Sequence, residues 1–474
     1  MELAEDHSTY PFFTWDELAA VTGGCWEQPP DKDAPGITGV FDDSRKVVPG
    51  ALFVAVKGAN VDGHRFIAQA EENGATALCV SRKPDPAASR QRAHTEIPLL
   101  VVDDTLHAFH RLAAAHRRRL RSIPLIAVTG SSGKTSVRAM LTAVLEEAWP
   151  GAVLSTEGNT NNHFGVPRNV LRLCPTHRVG VIELGSNHPG EIEQLARIVQ
   201  ANVGVITNIG RAHLEFLGDL AGVAREKGAL MRELQENGTA VLPVETPHAD
   251  TLSELAGERR ILWFGESKHA DLKYEYKGRG DDGFALTLTW RREDEQQQIK
   301  WALGGKHQAA NAAAAAGAAT ALGVPPRTTA RGVARCRLPG MRMETKTVNG
   351  IYWMNDAYNA NPDSMRAGIR WFAELTADTP PERRMLVLGD MGELGPRSAE
   401  EHRTLLAWVR DFLPNADLVV VGEQMRAAAA AGDRTITRAT DAEAAAGCIK
   451  PRLAPGMCVF VKGSRSVRLE TVVP

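Results

Sequence analysis

The stretch IPLIAVTGSSGKTSVRAML, residues 123–141, runs three patterns together without a spacer. Ile123–Thr129 is a continuous apolar run, as expected of a parallel strand buried on both faces. A glycine-serine turn follows, and from Ser136 to Ala148 the apolar residues take helical spacing. Strand, glycine turn and helix in that order make a phosphate cradle. Successive backbone N–H groups of Gly130, Ser131, Ser132, Gly133 and Ser136 can face an anion at a helix N-terminus. Lys134 can neutralise β- and γ-oxygens, and the Thr135 hydroxyl can hold Mg²⁺. The spacing departs from G-x-x-x-x-G-K-[ST], whose first glycine would fall at Val128; the loop is the shorter G-x-x-G-K-T.

Outward from this loop the same alternation repeats. Strand patterns at Val179–Leu184, Val203–Ile209 and Thr239–Val244 alternate with helix patterns at Glu191–Gln200 and Asp219–Leu234. Repeated βα units predict a parallel sheet with helices on both faces. Phe284–Trp290 and Gln298–Leu303 read as a hairpin, and the alanine-rich Gln308–Leu322 as a helix. Before this region, short apolar runs at Ala51–Val56 and Ala75–Val80 flank a helical stretch, His64–Asn73. Ser81–Glu96, with Pro84 and Pro86, reads as a surface loop. After it, Ile351–Met354, Met385–Leu388, Leu418–Val421 and Cys458–Val461 are strand candidates of a second, smaller α/β unit. The expected organisation is a three-domain α/β protein, divided at residues 1–105, 106–324 and 325–474. A central parallel-sheet, P-loop ATPase-like domain is flanked by an N-terminal domain and a Rossmann-like C-terminal one. Glycine and prolines near Val324–Arg327 are candidate hinge elements.

Length and composition fit this division. A chain of 474 residues is too long for a single compact core. Apolar residues make up 43% and charged residues 24%, which excludes disorder and collagen-like repeats. Lys+Arg 55 against Asp+Glu 57 leaves a net charge of −2, so no global field recruits nucleic acid or an anionic membrane. No uncharged apolar stretch is long enough to span a bilayer. The acidic start, with Glu2, Glu5, Asp6 and Asp16, lacks the pattern of a secretion signal, so a cytoplasmic location is expected. Six scattered cysteines without a C-x-x-C pair indicate reduced thiols rather than zinc or disulfides. The basic run Arg117–Arg121 has no interleaved aromatics and is expected to be a solvated helix end. No G-x-S-x-G elbow is present to support serine hydrolase chemistry.

Charged groups at strand ends narrow the use of the phosphate loop. In open α/β sheets ligands bind beyond the carboxyl ends of the strands. Glu183 ends one strand and His213 lies just past the next, where a carboxylate and an imidazole could ligate a second divalent ion.

The ordered set TGSSGKTS, Glu183 in ELGSNHPGEI, His213 in NIGRAHLE, Asn311 in GKHQAANAAAA, Arg342 in LPGMRME and Asp356 in NDAYNANP resembles the Mur ligases. These are ATP-dependent, amide-forming enzymes of peptidoglycan precursor synthesis. Asp43-Ser44-Arg45-Lys46 before PGALFVAVKG, LGDMGELGPRSAEEH at 388–402 and KGSRSVRLE at 462–470 resemble the member that attaches D-alanyl-D-alanine to a UDP-N-acetylmuramoyl-tripeptide. The resemblance implies ATP and Mg²⁺ as cofactors, an acyl phosphate intermediate and small-molecule substrates, with a monomer as the default. It implies that Lys134 and the loop backbone cradle phosphates, and that Thr135 and Glu183 bind one Mg²⁺, with His213 contributing to a second. Lys227, 14 residues after His213, resembles a lysine that CO₂ carbamylates into an anionic metal ligand. Asn311 should meet adenine, Arg342 the phosphates or ribose, and Asp356 the ribose. Nucleotide would thus bridge two domains, and closure would complete the site.

For the substrates, the resemblance implies that the first region holds the UDP end, with Ser44 and Arg45 as contacts. Asn159, Thr160 and Asn162 could reach the sugar and peptide carboxyls, although His163-Phe164 replaces the family's acidic-aliphatic pair. Asn359 and Asn361 are candidate contacts for D-Ala-D-Ala, with Lys462 and Arg465 as carboxylate or phosphate partners. Leu242–Thr246 replaces an Asn/Asp-rich turn and should support the nucleotide site indirectly. Two other readings remain open: a sibling ligase adding diaminopimelate or lysine, and a nucleotide-binding module without ligation. The third residue of the peptide stays open as well.

Overall fold

The computed structural model describes residues 12–31, 34–58, 61–82, 97–280, 283–429 and 435–474. Most of the expected loop at Ser81–Glu96 lies outside the described residues. Three sheets of five, nine and six strands follow one another along the chain.

The middle sheet is built around strand Leu125–Thr129, which pairs in parallel with Val179–Glu183 on one side and Val203–Ile206 on the other. Its residues alternate between two apolar layers. Leu125 and Ala127 join one core cluster while Ile126 and Val128 join another. That is why the run is apolar at every position: each face of the sheet is covered. Helices Glu191–Val199 and Leu220–Arg232 cover the first face, and Lys134–Ala148 and Lys306–Ala321 the second. The alanines of the last helix are buried almost throughout, so it lacks an amphipathic stripe. Small side chains let it lie close against the sheet; a Cβ on Gly317 would come within 2.9 Å of Val241 Cγ1. Beyond strand Arg260–Gly265 the sheet continues with Leu272–Gly280, Gly283–Trp290 and Glu295–Trp301, each antiparallel to the next. The expected hairpin is therefore part of a three-stranded meander.

The first sheet has one antiparallel edge strand, Cys25–Gln28, on an otherwise parallel core that includes Ala51–Val54 and Ala75–Val80. It is tied to the middle body by a bidentate pair, Arg168 to Asp42, at 2.8 and 2.7 Å. The last sheet is parallel apart from the edge pair Glu344–Val348 and Ile351–Asn355.

Two expectations change. Helix Pro326–Arg335 packs so tightly on helix Lys134–Ala148 that a Cβ on Gly332 would lie 2.4 Å from Val144 Cα. This helix belongs to the middle body, so the chain turns toward the last sheet after Arg335 and not at 324–327. Met341 and Met343 there adopt left-handed backbone, at φ 59° and 53°. The basic run is also not uniformly solvated. Arg117 is fully buried, and its guanidinium donates to the carbonyls of Val199, Leu120 and Ile123 at 2.8–2.9 Å.

Candidate active site

The phosphate loop sits at the carboxyl edge of the middle sheet, locked to the neighbouring strand end. Ser131 N–H donates to the Asn208 carbonyl at 3.1 Å, and Ser132 N–H to Asn208 Oδ1 at 3.0 Å. Ser131 Oγ both donates to Gly210 O and accepts from Gly210 N–H. Two positions demand glycine. Gly130 has φ 144° and a Cβ there would meet Thr207 Oγ1 at 2.0 Å; Gly133 has φ 81° and its Cβ would meet Asn311 Oδ1 at 2.4 Å. Gly133 caps helix Lys134–Ala148, aiming that helix's N-terminus into the cavity. Lys134 Nζ donates to Gly130 O at 2.7 Å, and burial lowers its pKa against the pull of Glu183.

Glu183, 1% exposed, is the hub of the adjacent strand end. Its Oε1 accepts from Thr135 Oγ1 at 3.1 Å and Asn161 Nδ2 at 2.8 Å, while Oε2 accepts from Arg138 Nε at 3.1 Å. A hydroxyl and a carboxylate beside a phosphate-loop lysine are hard oxygen donors, the set that suits Mg²⁺. Among the described residues no group of three or more His, Cys, Asp or Glu is placed to hold a metal ion.

His213 follows the next strand and takes left-handed backbone, φ 56°. Its Nδ1 lies 2.5 Å from Glu393 Oε2, a close polar contact without hydrogen-bond alignment. Burial lowers the His213 pKa more than Glu393 raises it, and the His213 contact is the chief reason the Glu393 carboxyl titrates low. Lys227 on helix Leu220–Arg232 is wholly buried, its Nζ donating to Ser186 Oγ at 2.7 Å and Ser186 O at 3.1 Å. Burial, aided by Lys134, lowers its pKa to about 7. The adjacent Glu226 instead accepts from the N–H groups of Gly190 and Ile192, capping helix Glu191–Val199.

Lys134, Thr135, Glu183, Ser186 and His213 line a cavity of about 830 Å³ whose far wall comes from the last body, and Lys227 lies behind Ser186. Arg342 stacks on Tyr358 at 3.7 Å and donates to Thr135 Oγ1 at 3.1 Å, so it reaches the phosphate end of the site. Asn311 lines the same cavity beside Gly133. Asp356 and Lys462 also line it but are joined to each other, at 2.5 Å, and Lys462 further donates to the Asp356 and Asn359 carbonyls. Lys462 is therefore committed within the last body. Asn361 donates to Ser132 Oγ at 3.0 Å and caps helix Pro362–Leu375, linking the two bodies. Asn359 lines the cavity, whereas Arg465 lies outside its wall and pairs with Glu470. Of the 159–162 loop, Asn159 and Asn162 line the cavity, and Asn162 Oδ1 also accepts from Phe164 and Gly165 N–H. Thr160 bonds to Glu157 O and Asn169 instead. Ser44 is buried against Gln69, and exposed Arg45 pairs with Asp43; neither reaches this cavity.

Several site residues were not singled out by sequence patterns: Arg138, Asn161 and Ser186 around the two strand ends, and Tyr358 and Glu393 from the last body. Glu393 stands inside the LGDMGELG segment, whose glycine spacing marks a tight loop yet carries no sign of its target.

The sequence matches the Mur ligase family catalytic domain over residues 36–117, the Mur ligase middle domain over 128–319 and the glutamate ligase domain of Mur ligases over 341–465. It is 35% identical over 447 residues to the UDP-N-acetylmuramoyl-tripeptide–D-alanyl-D-alanine ligase of Escherichia coli K12, covering 92% of each chain. The ligase of the same name from Bacillus subtilis 168 is 32% identical, with 94% of each chain covered. Among solved structures, MurF from Acinetobacter baumannii superposes with a TM-score of 0.86 at 31% identity over 97% of both chains. MurF ligase from Thermotoga maritima, in complex with ADP, gives a TM-score of 0.78 at 27% identity, covering 92% of this chain and 96% of that one. The chain belongs to the Mur ligase family, and it is an ATP-dependent, ADP-forming ligase of three α/β domains.

Proposed function

We propose that this ligase joins D-alanyl-D-alanine to a UDP-N-acetylmuramoyl-tripeptide, forming the pentapeptide precursor of peptidoglycan. The observation that carries the reading is the site itself: a phosphate loop, the Thr135–Glu183 pair and His213 line one cavity closed by a second body, with Lys227 buried behind Ser186 of its wall. Full-length similarity to ligases of that name supports the choice of substrates.

A carboxylate is a poor acyl donor at neutral pH. Its oxygen attacks the γ-phosphorus of ATP, ADP leaves, and the resulting acyl phosphate carries a leaving group. The amine then attacks the acyl carbon, loses a proton, and phosphate departs as the amide forms. Catalysis by the chain consists of positioning and charge neutralisation. Lys134 and the N–H groups from Gly130 to Ser136 hold the phosphates. Thr135 and Glu183 would hold one Mg²⁺ and His213 would contribute to a second; such ions screen the charge of the phosphoryl group in transfer. Arg342 steadies the phosphate end from the last body, with Asn311 at the base and Asp356 toward the ribose.

Lys227 is the proposed site of carbamylation. The neutral amine adds to CO₂, forming an N–C bond and releasing a proton, and the ammonium becomes an anion. Burial, which lowers the Lys227 pKa to about 7, makes the neutral amine available near neutral pH. The first region is proposed to take the UDP end through Ser44 and Arg45. Asn159 and Asn162 are assigned to the muramoyl-peptide, and Asn359 to the dipeptide; the committed bonds of Thr160, Lys462, Asn361 and Arg465 make these four supports rather than direct contacts. We place the enzyme in the cytoplasm as a monomer. No helix among the described residues is long and apolar enough to cross a membrane.

The test is phosphate release from ATP with UDP-N-acetylmuramoyl-tripeptide, with and without D-Ala-D-Ala. Release only with the dipeptide, and a product heavier by that dipeptide, is expected. Release with a single amino acid and a shorter UDP-peptide would move the enzyme to a sibling step. Silence with every acceptor would remove the ligation reading.

A further inference from the structure

One segment of the last body, Gly389–Gly395, lies directly against the residues that follow the middle-sheet strand end. Glu393 O accepts from Glu215 N–H at 3.1 Å. Gly395 comes so close that a Cβ would sit 3.0 Å from Glu215 Cα, and its φ is 53°. Between these backbone contacts the Glu393 carboxylate meets the His213 ring at 2.5 Å. Both partners are non-glycine residues in left-handed backbone, His213 at φ 56° and Glu393 at φ 59°. Such conformations carry backbone strain and persist only where surrounding contacts hold them. Two of them meeting side chain to side chain across a boundary between bodies is a coincidence that loop geometry alone does not require.

We propose that Glu393 is a positioning residue that sets the His213 imidazole for its metal role, and does so only when the last body is docked. The inference rests on the metal role proposed for His213. A histidine that ligates a metal through one ring nitrogen is held by a carboxylate or carbonyl at the other, which fixes the tautomer and the ring plane. Glu393 Oε2 stands 2.5 Å from Nδ1, beside that second position but without hydrogen-bond alignment as the ring lies, so a rotation of either side chain completes the bond. Because it arrives from a different body, the outer partner of the ligand is delivered by closure. The first ion's donors, Thr135 and Glu183, both belong to the middle body and have no such dependence.

The contrast between the two positions supplies the test. Mn²⁺ is titrated into the full-length protein with saturating ADP, and bound Mn²⁺ is read by electron paramagnetic resonance. Wild type should bind two ions. Glu393→Gln keeps the size of the side chain and removes its charge; it should weaken the second ion about ten- to hundredfold while leaving the first within about twofold. Its KM for ATP should stay near wild type while kcat falls. Unchanged affinity for both ions in a normally folded variant, checked by its thermal transition, overturns the proposal. So does a wild type that binds one ion only. If both ions bind as expected but no dipeptide is ligated, the substrate assignment fails and the role of Glu393 stands.

Discussion

At the scale of single residues, the site is a set of cations held without their usual solvent. Lys134 donates to its own loop and Lys227 to Ser186, and burial lowers the pKa of both. Lys134→Ala should cut turnover by roughly a thousandfold, because the lost charge is one that the transferring phosphoryl group needs. Its circular dichroism and melting curve should match wild type; normal turnover in that variant would sink the phosphate-loop assignment. Lys227 gives a prediction of opposite sign for stability. The amine titrates near pH 7 when folded and near 10.5 when unfolded, so between those values the unfolded chain holds the extra proton. Stability therefore rises with pH across that window, and the buried amine is most costly at and below pH 7. In CO₂-depleted buffer at pH 7, Lys227→Met should melt higher than wild type while losing activity. Lys227→Ala should lose activity that millimolar acetate partly restores, since the small carboxylate replaces the missing anion. A lower melting point for the methionine variant, or wild-type rates for the alanine one, would contradict this account of the residue. The sequence pointed to Lys134 through the glycine turn between strand and helix, to Glu183 through its place at a strand end, and to Lys227 only through family spacing. Glu393 was not legible, because its partner lies 180 positions away and nothing local encodes that meeting.

At the scale of elements, strands with both faces covered announce themselves and those at edges do not. Leu125–Thr129 and Val179–Glu183 are buried throughout and stand out in the sequence. Glu344–Val348 is an edge strand of mostly exposed residues, so it carries no apolar signal, and Cys25–Gln28 is likewise an edge. The helix Thr105–Arg119 misleads in a different way. Its basic end reads as a solvated surface, yet Arg117 turns inward and closes the C-terminus of helix Glu191–Val199 through the Val199 and Gln200 carbonyls. A helix end satisfied by a side chain from another helix cannot be read from either segment alone. Arg117→Met should cost about 3 kcal/mol by leaving those carbonyls unpaired. The exposed neighbour Arg118→Met should be close to neutral. Urea unfolding of the two variants decides this, and equal midpoints would show that Arg117 contributes no more than its surface neighbours.

At the scale of the molecule, the cavity exists as described only because two bodies share it. Among the polar links that span them near the phosphate loop are Asn361 to Ser132, Arg342 to Thr135, and Arg211 to Asp363. The last is the strongest by geometry. Asp363 accepts from the Arg211 backbone N–H at 2.8 Å and from its guanidinium at 2.7 Å, and Glu401 lies 3.3 Å from the same guanidinium. Asp363 bonds to Arg211 and not to the phosphate loop, so its removal loosens docking while leaving the loop's own hydrogen bonds in place. A nucleotide whose contacts come from both bodies binds with an affinity scaled by the fraction of molecules already closed. Asp363→Ala should lower that fraction. ADP affinity should fall about three- to tenfold, a change of roughly 1 kcal/mol that suits a half-buried charged link. Small-angle scattering of the ADP-bound variant should show a larger radius of gyration than ADP-bound wild type, and high salt should move wild type in the same direction. Saturating ADP should close much of the gap, because the ligand draws the population back toward the closed form. A variant with wild-type ADP affinity and unchanged scattering would mean that the remaining contacts between the bodies hold closure, and that the Arg211–Asp363 link follows docking rather than sustaining it.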